Sequence, residues 1–340
     1  MIDWSKSYTS TWRVFRVNRK TWADGELLKK VDSASVSRTS DGRILESGSL
    51  EVSGEFKSDY YRIVMTAEQG GELARVDVAT LLFEVSGGRH DFGRKVSSVN
   101  GFSVLRPAET TAVTIGEYAP KGVDGAKYAK ALLESAINAP VVIDGGASFT
   151  LNDHVVHELG ASVIEAVWAV LEAGGYILQI DGKGVVHIKP KPTEPSLIIN
   201  NSSIGLLSNG IDFESDMSEI PNRYVVIDGN NIVIASNDDE NSIVSTKSRG
   251  YFVDMVDTSP TPINGETLGE YATNRLKDLS ILNDERKYVR EFAPDVYIYS
   301  LVRASITGLQ GDLRVLSQSI KCGNGITVTE KAAKEIRLYG

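Results

Sequence analysis

Residues 126–192 decide the reading of this chain. They run AKYAKALLESA (126–136), a turn-rich interval, ASVIEAVWAVLEAGG (161–175) and YILQIDGKGVVHIKPKP (176–192). The first run predicts a short helix. The second sets Val163, Ile164, Val167, Trp168, Val170 and Leu171 on one side at helical spacing, the pattern of an amphipathic helix. Gly174 and Gly175 stop it, as glycine does where a chain must turn left-handed. Residues 176–180 then alternate, and Asp181-Gly182-Lys183-Gly184 turns the chain back into residues 185–189 as a hairpin. Pro190 and Pro192 end that ladder, because proline has no N–H to donate. This helix–helix–hairpin unit carries no nucleophile, no ligand cluster and no phosphate loop.

On the N-terminal side, residues 1 to about 115 read as almost pure β. Seven stretches have strand composition: 11–18, 32–38, 49–54, 60–67, 74–85, 95–99 and 102–106. Ser40-Asp41-Gly42, Gln69-Gly70-Gly71 and Gly87-Gly88 fall between them as turns. Short strands at such spacing predict a barrel or sandwich. The stretches 60–67 and 74–85 face each other across a Gly-Gly turn and alternate only loosely, the pattern of a strand with one face on a core and the other on a neighbouring chain. On the C-terminal side, KPKPTEPS (189–196) is a short stiff linker. Strands at 222–228 and 231–236 follow, joined by Gly229-Asn230. A polar loop (237–242), a third helix (267–279) and strands at 295–306 and 312–321 close the chain. The order is thus β-rich, helix-containing, β-rich. Two related β domains around a small α/β domain give that echo, and so does chance.

Composition sets outer limits. A chain of 340 residues holds two or three domains. Its 41% hydrophobic and 24% charged content is that of a chain that buries a real core. With 36 basic and 45 acidic residues the net charge is −9, which disfavours a general nucleic-acid binder. Cys322 is the sole cysteine, so no intramolecular disulfide framework exists, and it reads as a small half-buried hydrophobe. The N-terminus lacks the apolar core of a signal peptide, and no stretch has the length and apolarity of a bilayer span. Synthesis and folding in a cytoplasm are expected.

The candidate chemistry is sparse. His154 and His157, followed by Glu158, could share one face of a helix at i, i+3. A metal would need a third ligand, and His90 and His187 stand apart in β segments, so these histidines read as structural. Asp238-Asp239-Glu240 lacks the alternating spacing and closing glutamate of a calcium loop and reads as a solvated tip. Gly182-Lys183-Gly184 and Gly323-Asn324-Gly325 open no helix after a buried strand, so they are hairpin turns rather than pyrophosphate cradles. There is no Gly-X-Ser-X-Gly, no serine with a matched His and Asp, and nothing that singles out a glycosidase carboxylate pair. Basic-aromatic interleaving for single strands is missing as well. No catalytic, cofactor-binding or metal-binding residue is assigned and no cofactor is expected. The chain reads as an assembly part rather than an enzyme.

Taken together, the segments resemble the baseplate hub and tail-tip hub proteins of tailed bacteriophages, a family with relatives in contractile injection systems. The likeness runs over nearly the whole chain and lies in the order of segments. VDSASVSRTSDGRILESGSLEVSG (31–54) and the long strands at 60–85 are similar to the family's N-terminal barrel. AKALLESA and EAVWAVLEAGGYILQIDGKGVVHIKPKP are similar to its middle domain. Ile220-Pro221-Asn222-Arg223-Tyr224-Val225-Val226 matches its Asn-(Arg/Lys)-aromatic strand, GETLGEYATNRLKDLS its later helix, and GLQGDLRVLSQSIKCGNG its closing strand pair. One departure stands before that pair, where Ser300-Leu301 replaces the family's Gly-Asp turn.

The resemblance implies a β-rich α+β fold: two tail-tube-like β-barrels separated by a small α/β domain. The implied domains are a first barrel at 1–117, the connecting α/β domain at 118–195, and a second barrel at 196–340 with a loop insertion near 230–265. It further implies a homotrimeric ring in the virion tail that presents six barrels, adapting a sixfold tube to a threefold tip. Implied partners are a tail-tube or distal-tail ring above, a central tail fibre or spike below, and the tape-measure protein and DNA in transit through the channel, with no membrane contact. An acidic lumen would let DNA slide. The 60–85 hairpin is the candidate ring-forming edge. Two alternatives are a tail-associated cell-wall hydrolase and a receptor- or carbohydrate-binding β module. The first is usually an appended domain, and the chain ends at Gly340 directly after its second β region. The second calls for clustered aromatics, whereas Trp4, Trp12 and Trp22 lie in the N-terminal arm and Trp168 on a helix.

Overall fold

Seven strands open the chain: β1 (Thr9–Val17), β2 (Asp24–Leu28), β3 (Val31–Thr39), β4 (Glu46–Ser53), β5 (Asp59–Gln69), β6 (Glu72–Asp91) and β7 (Arg94–Phe102). The computed structural model describes residues 2–91, 94–203, 207, 210–258, 260 and 266–339. The chain divides into unit 1, Met1–Ile211 with Lys287–Ala332, and unit 2, Asp212–Arg286 with Ala333–Gly340. In unit 1 the opening strands lie in the order β3-β4-β7-β6-β5-β1-β2. The β5–β6 hairpin turns through Gly70 and Gly71, both with positive φ (58° and 85°), a conformation in which glycine carries no Cβ penalty.

This order corrects two expectations. The 60–85 hairpin is not an edge: β5 is bonded to β1 and β6 to β7, and β2 lies at the end of the order. Nor does β5 leave a face for a neighbouring chain. Its loose alternation arises because both faces are covered from within unit 1. Tyr61, Ile63, Met65 and Ala67 join one core cluster, while Tyr60 joins a second cluster with the helices that follow.

Those helices belong to the middle segment: α1 (Arg106–Thr110), β8 (Tyr118–Ala119), α2 (Gly125–Ala136), β9 (Val141–Ile143), β10 (Val155–Val156), α3 (Val163–Ala173), β11 (Tyr176–Ile180) and β12 (Val186–Pro190). Asp124 caps α2 by accepting from Ala126 N and Lys127 N, and Ser162 and Glu165 close a capping box on α3, satisfying donors the first turn leaves unpaired. Val163, Ile164, Val167, Val170 and Leu171 are buried together with Leu178, Ile180, Val186 and Ile188 of the hairpin. β9 adds to β12 in parallel, making the sheet β11-β12-β9. Of residues 102–106, expected as strand, only Phe102 is strand, at the end of β7; 103–106 lead into α1, where Pro107 occupies an early helical position and donates no N–H.

Unit 1 continues with β13 (Pro195–Ile199) and resumes from Lys287 to Ala332 with the closing strands of the chain. Between them unit 2 supplies β14 (Asp212–Glu214), β15 (Arg223–Asp228), β16 (Asn231–Ser236), α4 (Thr246–Arg249), β17 (Asp254–Asp257) and α5 (Leu268–Leu279). Then come β18 (Ile281–Glu291), β19 (Leu301–Ile306), β20 (Leu309–Cys322) and β21 (Ile326–Arg337). The expected strand at 295–306 begins only at Leu301. Asp295 and Tyr299 hold φ of 65° and 67°, a region that breaks an extended run. β20 is the branch point: residues 309–314 pair with β19, residues 317–322 pair with β3, and β21 lies along its other side. Strands from both ends of the sequence thus share one sheet.

At the centre of unit 2 is a three-stranded sheet, β16-β15-β17, with α5 on one face. Tyr224, Val226 and Ala235 are buried against Tyr271, Ala272 and Leu276 of α5. Of the insertion expected near 230–265, residues 259 and 261–265 lie outside the described residues. The molecule is β-rich, with five α-helices among the described residues. No helix among the described residues is long and apolar enough to cross a membrane.

Candidate functional site

The residues singled out in the sequence do not converge. His154 and His157 flank β10, a strand rather than a helix, so their i, i+3 spacing sends them to opposite sides. The His154 ring accepts from Lys121 N at 3.2 Å through Nδ1. His157 stacks on Tyr128, and both its ring nitrogens are buried without a hydrogen bond. Burial pushes its pKa down, favouring the neutral ring. Asp238 accepts from the Thr246 hydroxyl, Asp239 from Asn241 N at 2.9 Å, and Glu240 pairs with Lys247 at 2.9 Å. The three carboxylates therefore tie down their own loop. Cys322 is buried and its thiol is pushed up to about 12, which keeps it protonated and unreactive at neutral pH. Among the described residues no group of three or more His, Cys, Asp or Glu side chains could hold a metal ion.

Gly323-Asn324-Gly325 is the β20–β21 turn, closed by Gly323 N donating to Gly325 O at 2.9 Å. The Asp181–Gly184 turn does more than reverse the chain. Its backbone is seated on the opening sheet, where the Thr80 hydroxyl donates to Gly182 O at 2.9 Å. Trp22 Nε1 and Arg62 Nη2 donate to Lys183 O at 2.7 and 2.9 Å. On the other side Gly182 N donates to the Tyr297 hydroxyl at 3.2 Å. A Cβ at Gly182 would lie 1.8 Å from the Asp77 carbonyl oxygen, so only glycine fits this approach.

Two charged groups that the sequence reading did not assemble are built into unit 1, and one of them is centred on His187, which that reading left standing alone. The first is a buried network along the β4-β3-β20-β21-β18 path. Arg38 Nε donates to Glu46 at 2.6 Å, Arg38 Nη1 to Gln318 Oε1 at 3.3 Å, and Gln318 Nε2 to Glu330 at 2.8 Å. Arg290 Nη2 and the Tyr288 hydroxyl each donate to Glu330 at 2.5 Å. Burial pushes the Glu330 carboxyl up, but Arg290 and three donated hydrogen bonds prevail and hold it below its ordinary value. Glu46 differs because its Oε2 has no partner. There burial wins over Arg38 and the carboxyl is raised. The network joins the strands where the N-terminal and C-terminal groups meet, and removing any one charged member would leave its partner buried and uncompensated.

The second group is His187 on β12. Asp181 Oδ2 lies 3.4 Å from Nε2 and Asp144 Oδ1 lies 2.6 Å from Nδ1. The carboxylates sit on opposite edges of the ring, so they clamp it and cannot chelate a common ion. The bond to Asp181 raises its pKa, burial opposes, and Asp144 raises it again, with a net upward shift. The sequence signal was available, since Asp181 and His187 lie six residues apart across a hairpin turn, but Asp144 comes from a distant turn.

Neither group includes a nucleophile beside a base or an open ligand position. No family model and no curated protein matches the chain. Solved structures do match, over almost the whole of this chain. A tail protein from Neisseria meningitidis MC58 superposes with a TM-score of 0.67 at 13% identity, covering 96% of this chain and 97% of that one. The 43 kDa tail protein of prophage MuSo2 from Shewanella oneidensis gives 0.64 at 12% identity, covering 97% and 98%. A chain of the Francisella PdpA–VgrG complex gives 0.59 at 10% identity, covering 96% of this chain and 53% of that one. The protein therefore has the fold of phage tail proteins from end to end.

Proposed function

We propose that this chain is a structural hub of a phage tail tip or baseplate. In this reading three copies close a ring, and each contributes two tube-like β-barrel domains, at 1–117 and 196–340, spaced by the α/β domain at 118–195. Six wall segments then meet a sixfold tail tube or distal-tail ring above, and the threefold ring seats a central fibre or spike below. The channel passes the tape-measure protein and then DNA. The chain resides in the virion tail and performs no chemistry, and no residue is given a catalytic role.

The observation that carries this reading is the end-to-end superposition on two tail proteins, with more than nine-tenths of both partners covered. The sharing of one sheet by strands from both ends of the chain supports it, since a wall must be continuous. The test is native mass spectrometry of the purified chain, followed by cryo-EM of the assembly. A trimer with a central opening is expected. A protein that stays monomeric at every concentration, or one that degrades cell wall, overturns the reading.

A further inference from the structure

Unit 2 holds 83 of the 340 residues, yet it carries sixteen Asp and Glu against eight Lys and Arg, so −8 of the chain's −9 lies there. It also holds ten of the eighteen large hydrophobic side chains that stand exposed among the described residues. Several of these share one surface. The face of the β16-β15-β17 sheet opposite α5 presents Val225, Ile227, Ile232, Ile234 and Val256, aligned by the registers Val225↔Ile234, Ile227↔Ile232 and Val225↔Val256. Ile232 is 64% exposed. The charges on that face, Arg223 and Asp254, cancel in a two-pronged pair at 2.5 and 2.6 Å. A β-branched sheet face with an uncharged centre is built to be covered.

We infer that this face docks on a second copy of the chain, head to tail, at the exposed apolar patch formed by Ile115, Tyr118, Val156 and Leu159 of that copy's unit 1. The inference rests on the hub reading and assigns the surfaces that would close the ring. The patch is a single feature: Val156 pairs with Tyr118 in the β8–β10 ladder, and all four residues line one hollow, with Glu117 and Glu158 as its two carboxylates. Leu159 is 85% exposed. Charge selects this pairing over the symmetric one. Two −8 units set face to face repel, whereas unit 1 is close to neutral, at −1. A contact between two different patches repeats from copy to copy and closes into a ring when the rotation allows.

Cysteine cross-linking tests it directly, because the one native thiol, Cys322, is buried. Full-length Ile232→Cys and Leu159→Cys proteins are made separately, mixed, and mildly oxidised. Both sites are exposed, and circular dichroism checks that the variants fold. The expected product is a disulfide-linked pair holding one chain of each kind, absent when either variant is oxidised alone. Ile234→Asp should raise the dissociation constant of self-association about a hundredfold, by burying an unpaired charge. Self-linking of Ile232→Cys alone would establish the symmetric contact and overturn the proposal. No mixed product from chains that still form trimers would overturn it too, while leaving the hub reading intact. A wild-type chain that never self-associates would remove both.

Discussion

At the scale of single residues, the telling positions are those where backbone or charge leaves no slack. Gly182 is one. The Asp77 carbonyl oxygen occupies the place of a Cβ, and backbone cannot swing aside as a side chain can. Gly182→Ala should therefore destabilise unit 1 by about 3 kcal/mol through overpacking, read as a lower midpoint in urea. An unchanged midpoint would show that the turn is not seated on the sheet. His187 is another. Its folded pKa is raised by Asp181 and Asp144, so the clamp's contribution is complete below the ordinary histidine value of about 6.5. It is lost as pH climbs through the raised folded value. The melting temperature of the native chain minus that of His187→Asn should stay constant below about pH 6.5 and shrink as the pH rises above it. A gap independent of pH would mean that the imidazolium does not hold the two carboxylates.

At the scale of elements, α3 is the middle segment's keystone, and its burial makes a firm expectation. Val167 and Leu171 are fully buried against the hairpin. Val167→Asp should cost about 3–5 kcal/mol, measured by chemical denaturation, and a melting curve that does not move would place this face outside the core. This element was legible because its signals are local: helical spacing, two terminal glycines and a hairpin turn lie within residues 161–192. The third helix and the β15–β16 hairpin were legible for the same reason. The strand at 281–291 and the closing strand at 326–337 were not read, because their charged residues mask strand character until a partner is known. The junction of β20 with β3 was also hidden. It pairs Gln318 with Arg38, 280 positions apart, and no local pattern encodes a contact over that distance. The Arg38–Glu330 network shares that fate, since each member is an ordinary charged or polar residue of a strand until register brings it beside the next.

At the scale of the whole molecule, the uneven charge has a consequence for assembly that separates two kinds of interface. Each added copy brings a further −9 to a ring, and that self-repulsion opposes closure. If the contact is made by aliphatic side chains, salt should help it. Raising ionic strength from about 0.01 M to about 1 M shortens the screening length from about 30 Å to about 3 Å, quenching repulsion while leaving apolar burial in place. The concentration at which the chain assembles should then fall as salt rises, as followed by mass photometry or sedimentation velocity. An interface built instead on opposite charges, such as one at the cleft where Arg16, Arg19, Lys20 and Lys57 outnumber Glu26 and Asp59, gives the reverse slope, because screening then weakens the attraction. Assembly that loosens with salt would thus shift the docking surface away from the sheet face of unit 2 and onto charged groups of unit 1. Assembly that tightens would match a ring held by Ile232, Ile234 and their neighbours against its own accumulated charge.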